Sequence, residues 1–384
     1  MLKRISPYFT LTIVILASTL VVWLPFLLRV GSWYGLKIEN SNMQYVYRNF
    51  DGPLYIIVAK TFYNPKLIEK IGLELPISPN YFAAHLPLYP ILIRGVRELV
   101  GLTGLRVNGL EYLKSMVFVN LAATVFLSLF FYFFLKKFKL TTKPLLLVAV
   151  FLFLPKFLVV RSIGAPESLF LLLILISLYF FEKENYLWAG LAGAFAVVTK
   201  TPGILLFFAY VLVFLERWLK MKKISWLWVS VLLIPLALLA VFSWYYRQYG
   251  DFFAYFHSGD NIHLALPFSV FNFQKVWVGT AWLEEIIFYF FLYGLTVYSL
   301  KNSRYRSLYY FSLVFYIAII LVQHRDISRY SLPLWPMAII GLEKFFTSKK
   351  FLTVFMILLL AIYFYSWNFI VFNAMPISNW RPFL

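Results

Sequence analysis

LTIVILASTLVVWLPFLL (residues 11–28) and LTVFMILLLAIYFYSWNFIVF (352–372) carry no charged side chain. As a helix, each run crosses about 30 Å of hydrocarbon. In lipid every backbone N–H and C=O must be satisfied internally, so the choice lies between helices and a closed barrel. Barrel strands read as short alternating segments, whereas these runs are long and continuous. The expected fold is therefore an all-α integral membrane protein.

Working outward, about eleven apolar segments fall at 9–28, 113–135, 144–160, 166–182, 187–199, 203–216, 224–246, 281–300, 308–322, 331–343 and 350–373. They describe one polytopic membrane domain over 1–384. The segments 187–199 and 203–216 are short and meet at Thr199-Lys200-Thr201-Pro202-Gly203. They are expected to be half-helices lining a cavity. The first span lacks a small-residue cleavage site and is expected to be retained.

Composition agrees. Apolar residues make up 62% of the 384 and charged residues 13%, against roughly 25% charged in soluble domains. A soluble enzyme is excluded for want of polar surface, and disorder by the high hydrophobicity. The net charge of +19 comes from 35 basic and 16 acidic residues. No basic run accompanies a nucleic-acid-binding motif, so the basic residues are assigned to span ends facing anionic lipid. There is no cysteine, hence no disulfide, thiolate nucleophile or thiolate-bound metal.

The short connections KKFKLTTK (136–143), ERWLKMKK (216–223), KNSRYR (301–306) and EKFFTSKK (343–350) fall on one side if spans alternate, with Lys3 and Arg4. Positive short loops mark the cytoplasm. The N-terminus is then inside, and segments 29–112 and 247–280 lie outside. Within the first, LPLYPILIRGVRELVG (86–101) has helical apolar spacing with Arg94, Arg97 and Glu98 interspersed, the pattern of an interfacial helix. Of the acids, only Glu182, Glu184, Glu216 and Glu343 lie inside. Asp51, Asp251, Asp260, Asp326 and all four histidines (His85, His257, His263, His324) fall outside. Longer outer loops are one reading of this asymmetry; chemistry on the outer face is the other.

Three constellations carry candidate chemistry. Asp51 precedes Gly52-Pro53, where an aspartate also serves as a turn former, and is followed by His85-Leu86-Pro87-Leu88-Tyr89-Pro90. Glu167 follows Pro166 at the start of an apolar run. It reads either as a helix-start acid or as a functional group near the hydrocarbon. His324-Arg325-Asp326-Ile327-Ser328-Arg329-Tyr330 is either an internally paired loop or a phosphate site, since guanidinium forks match phosphate oxygens. Lys200, on its short outer turn, is a further phosphate candidate. There is no Walker loop, GxGxxG, HExxH or GxSxG. No Asp-x-Asp pair suggests a metal bridging a nucleotide diphosphate.

The ordered motifs Phe50-Asp51-Gly52, Pro87-Leu88-Tyr89-Pro90, Pro166-Glu167-Ser168, Trp188-Ala189-Gly190-Leu191-Ala192-Gly193, Thr199-Lys200-Thr201-Pro202-Gly203, Tyr249-Gly250-Asp251-Phe252 and Arg329-Tyr330-Ser331-Leu332-Pro333 resemble the GPI mannosyltransferase II family of the GT-C glycosyltransferases. They span nearly the whole chain. The resemblance implies a GT-C type fold and transfer of a sugar, expected to be mannose, from a polyprenyl-phosphate donor on the extracytoplasmic face. The acceptor would be a glycan or glycolipid hydroxyl. A short chain without a luminal insertion suggests a prokaryotic relative with its own acceptor. The leaving group would be a lipid monophosphate, so neither metal nor other cofactor is required. Asp51 would be the catalytic base. Lys200, His324, Arg325 and Arg329 would bind the donor phosphate, and Glu167, Arg161 and His85 would position sugar or acceptor. Beyond donor, acceptor and membrane lipids, no nucleic-acid partner is expected. The alternative class is a transporter or flippase of polyprenyl-linked glycans. That class would line a polar path between both faces, often with internal repeats, and no repeat is evident.

Overall fold

The computed structural model describes residues 6–38, 42–49, 51–74, 76–102, 111–259, 264–271 and 283–384. Lys3, Arg4, Phe50, Asp260 and His263 lie outside the described residues, as does part of the second outer segment. Prolines open several helices, including Pro7–Leu27, Pro65–Ile71, Pro144–Leu152 and Pro155–Val160. At a first turn the missing N–H is no loss. Among the described residues the single sheet is a hairpin pairing Ser32 with Lys37 and Trp33 with Leu36. Its turn residues Tyr34 and Gly35 have φ of 49° and 81°, the left-handed geometry of a tight hairpin.

Among the described residues, five helices are long and apolar enough to cross a membrane: Pro7–Leu27, Glu111–Lys137, Thr201–Met221, Trp226–Tyr249 and Lys349–Phe372. The other apolar segments form shorter helices. Segment 144–160 breaks into Pro144–Leu152 and Pro155–Val160, because Pro155 cannot continue the hydrogen-bond ladder of the first. Segment 331–343 holds Leu334–Gly341, preceded by the one-turn helix Ile327–Tyr330. The expected half-helix 203–216 is instead part of the full-length Thr201–Met221, entered through a 3-10 turn at Thr201–Ile204. Its neighbour Tyr186–Val197 is short, at 12 residues. The expected helix at 86–101 is present as Leu88–Leu102. It buries Tyr89 and Ile93 and exposes Leu99 and Leu102.

The basic connections meet one another. Thr141 Oγ1 donates to Glu343 Oε1 at 2.7 Å, Arg304 Nη2 to Phe138 O at 3.2 Å and Arg306 Nε to Glu216 Oε2 at 2.8 Å. The Ser307 N–H donates to Glu182 Oε1 at 2.8 Å. Glu182 and Glu167 are the two ends of the 16-residue helix Glu167–Glu182, about 22 Å apart at 1.5 Å per residue. The basic loops and the candidate carboxylate therefore occupy opposite ends of the bundle.

Candidate active site

Asp51 immediately precedes the helix Gly52–Thr61. The preceding turn is pinned to the far end of the chain: Asn49 Nδ2 donates to Ile370 O at 2.9 Å, and the Met375 N–H to Arg48 O at 2.7 Å. Gly52 makes a second attachment. A Cβ at this position would lie 2.8 Å from Gly164 O, so only glycine lets this backbone approach the turn that leads into Glu167.

Glu167 is the first residue of its helix, with Pro166 at the N-cap, and is 2% exposed. Its Oε1 accepts from Lys200 Nζ at 2.8 Å and from Arg329 Nε at 2.7 Å. Arg329 Nη1 also reaches Asp51 Oδ2 at 3.5 Å. Two carboxylates and two cations from four separate parts of the chain thus form one chain of contacts. Burial opposes charge on Arg329, but Glu167 and then Asp51 outweigh it and hold the guanidinium charged, well above its ordinary range. Burial pulls Lys200 downward against the opposing pull of Glu167.

The turn bearing Lys200 is set by contact rather than by its own length. A Cβ on Gly203 would lie 2.6 Å from the Val197 backbone N, so the 3-10 turn packs directly on the end of the preceding helix. The Leu88 N–H donates to Val198 O at 3.1 Å, which ties the outer segment to the same turn.

Asp51, Lys200 and Arg329 line one cavity together with Tyr55, His85, Thr201, Pro202, Tyr255 and Tyr330, with about 490 Å³ of free space including its open mouth. The Asp51 side chain is 36% exposed at this cavity. His85 is buried, and desolvation pushes its pKa down to about 4. It is therefore neutral at physiological pH. Its ring meets Tyr55 edge-on at 4.9 Å. Burial, and then the nearby Asp51, push the Tyr55 hydroxyl well above its ordinary pKa, so it stays protonated and able to donate a hydrogen bond into the cavity.

A second cavity of about 1130 Å³ of free space shares Thr201, Pro202, Tyr255 and Tyr330 with the first. Its other walls are apolar, among them Leu205, Leu238, Phe242, Phe315, Ile319 and Val322. Thr201 Oγ1 and Tyr255 OH hydrogen-bond at 2.7 Å at the junction. The polar cavity therefore lies beside an apolar groove, with these four residues as their common wall.

The structure does not gather every expected residue here. Arg161, expected to position sugar, is 1% exposed. It donates through Nε to Leu152 O at 3.1 Å, through Nη1 to Thr19 Oγ1 at 2.8 Å and through Nη2 to Ser18 Oγ at 2.8 Å. It fastens the first helix to the break after Leu152 and lines neither cavity. Arg325 is exposed and lines neither cavity. His324 sits one layer back: its ring meets Tyr330 edge-on at 4.8 Å, and its Nδ1 accepts the Asp326 N–H at 2.9 Å. Tyr55, Tyr255 and Tyr330 also line the cavity. The sequence marks two of them, Tyr55 four residues after Asp51 and Tyr330 next to Arg329, without assigning either a role; Tyr255 carries no local signal. Among the described residues no group of three or more His, Asp or Glu is placed to hold a metal.

No protein-family model matches the chain, and no curated protein matches it.

Proposed function

We propose that this protein is a membrane glycosyltransferase of the GT-C type that moves a sugar from a polyprenyl-phosphate donor to an acceptor hydroxyl. The observation that carries this reading is the pair of adjoining cavities. A molecule with an anionic head and a long hydrocarbon tail fits a polar pocket lined by Lys200 and Arg329 that adjoins an apolar groove. The single-phosphate head suits Lys200 and Arg329, which are already partly neutralised by Glu167.

In the proposed reaction the acceptor oxygen forms its bond to the sugar's anomeric carbon as the bond to the phosphate oxygen breaks. Asp51 takes the acceptor's proton. The leaving phosphate keeps the electron pair, and Lys200 and Arg329 stabilise it where charge accumulates. Tyr55 and His85 border the same space and supply hydrogen bonds to sugar or acceptor. Eleven crossings, with the N-terminus in the cytoplasm, would place this pocket on the extracytoplasmic face. The basic loops at the opposite end of the bundle support that orientation.

The test is transfer from radiolabelled polyprenyl-phosphate mannose to glycolipid acceptors by the purified protein in vesicles. Labelled product bearing the transferred sugar, with release of polyprenyl phosphate, is the expected result. Translocation of intact glycolipid without any bond cleavage would replace this reading with the flippase.

A further inference from the structure

Arg329 and Tyr330 belong to a helix of only four residues, Ile327–Tyr330. A single turn has no stability of its own, because nucleation costs more than one hydrogen bond returns. Something outside it must fix where Arg329 points.

Asp326 closes that turn from several directions. Its backbone O accepts the N–H groups of Arg329 at 3.0 Å and Tyr330 at 3.2 Å. Its Oδ1 accepts from Ser328 Oγ at 2.8 Å and from Lys156 Nζ at 2.9 Å. Lys156 belongs to the helix Pro155–Val160 and is 7% exposed. Its ammonium also lies 4.0 Å from the Phe369 ring centroid, on the helix Lys349–Phe372. One buried cation thus links the site's one-turn helix to two other helices. Lys156 lines neither cavity, so it acts through Asp326.

A gain in stability does not account for such a pair. Replacing a buried ion pair by apolar residues of similar volume is often neutral or stabilising. What apolar residues cannot do is hold one turn at one rotation, because their contacts are not directional.

We propose that Lys156 and Asp326 are positioning residues that seat the Ile327–Tyr330 turn, and with it Arg329 and Tyr330, for the phosphate end of the donor. The donor part of this statement rests on the glycosyltransferase reading. Lys156 touches no substrate.

The experiment compares Lys156→Met, Lys156→Arg and the double variant Lys156→Met/Asp326→Leu in vesicles, measuring KM for polyprenyl-phosphate mannose, KM for acceptor, and kcat. The double variant removes both charges and is the arm that folds if the single change leaves Asp326 uncompensated. In parallel, a nitroxide on Arg325→Cys reports the order of the turn; the natural chain has no cysteine, so the label is unique. A misplacement of about 1 Å costs on the order of 10²-fold. Donor kcat/KM should therefore fall by about that factor in the double variant, with acceptor KM unchanged and the label mobilised. Lys156→Arg should keep most of the parent's donor kinetics. A folded double variant with the parent's donor kinetics overturns the proposal, and so does an immobile label in Lys156→Met. If the parent transfers no sugar from any polyprenyl-phosphate donor, the donor assignment falls. The label then still decides whether the ion pair seats the turn.

Discussion

Arg329 Nε donates to Glu167 Oε1 at 2.7 Å, joining residues 162 positions apart in the chain. The same carboxylate oxygen accepts Lys200 Nζ at 2.8 Å. Glu167 therefore holds the two cations of the site side by side. It is buried, whereas the Asp51 side chain is 36% exposed at the cavity.

That contrast separates the two acids experimentally. Glu167→Gln leaves Lys200 and Arg329 without their buried counter-charge, and removing one partner of a buried pair costs roughly 3–5 kcal/mol. Its thermal midpoint in detergent should drop clearly. Asp51→Asn, at a partly exposed position, should melt with the parent. The assignment of roles fails if the two variants melt alike.

Asp51→Asn should instead lose turnover. Without a proton acceptor the transfer rate is expected to fall roughly 10²–10⁴-fold, while donor binding is retained. Near-normal turnover in this variant, with Glu167→Gln inactive yet folded, would move the catalytic role to Glu167.

For the phosphate contact, Lys200→Ala is the cleaner probe, because Arg329 has two carboxylate partners to disturb. A hydrogen bond to a charged group is worth about 1.5–3 kcal/mol, so donor affinity should weaken roughly 10–100-fold. Equilibrium binding and kcat must both be measured, since a contact made only in the transition state lowers kcat instead. Unchanged values of both would remove Lys200 from the donor site.

Gly52→Ala tests the seam between the outer segment and the Glu167 turn. Its Cβ would lie 2.8 Å from Gly164 O, and the backbone must shift to relieve the contact. Overpacking of this kind costs about 1–3 kcal/mol, and movement of Asp51 by about 1 Å should lower kcat on the order of 10²-fold. Parent-like activity would show that Asp51 tolerates displacement.

His85 gives a pH dependence with a definite sign. Burial lowers its pKa from 6.5 to about 4, so between those values the unfolded chain binds a proton that the folded chain does not. Stability from this residue is complete above pH 6.5 and declines as pH falls from 6.5 toward 4. The effect is bounded at about 3 kcal/mol. His85→Gln should flatten that part of the stability curve. If both proteins lose stability in parallel over the window, the histidine is not the acid-sensitive group.

Much of this site was legible along the chain. Pro-Glu at a helix start placed Glu167 as its helix now shows. Asp51, His85, Lys200 and Arg329 were named from the motifs around them and now border one cavity. Arg161 and Lys156 show where the reading fails. Both are buried cations close to the breaks of segment 144–160. The first binds hydroxyls of the first helix, and the second binds Asp326. Nothing local distinguishes them, although a lone lysine inside an apolar run was itself a signal.

The sequence by itself determined the solvent and the element type. A chain so rich in apolar residues and so poor in charge folds against lipid, where its long continuous apolar runs fit helices rather than barrel strands. It also determined which residues were chemically able to serve. Tertiary structure decided which of them meet. Glu167 could pair with any cation, and only the packing of distant helices brought it Lys200 and Arg329 rather than Arg161. It also decided that the polar cavity adjoins an apolar groove at Thr201, Pro202, Tyr255 and Tyr330. Charge and hydrophobicity are properties of a residue, whereas a distance of 2.7 Å across 162 positions is a property of the packed chain alone.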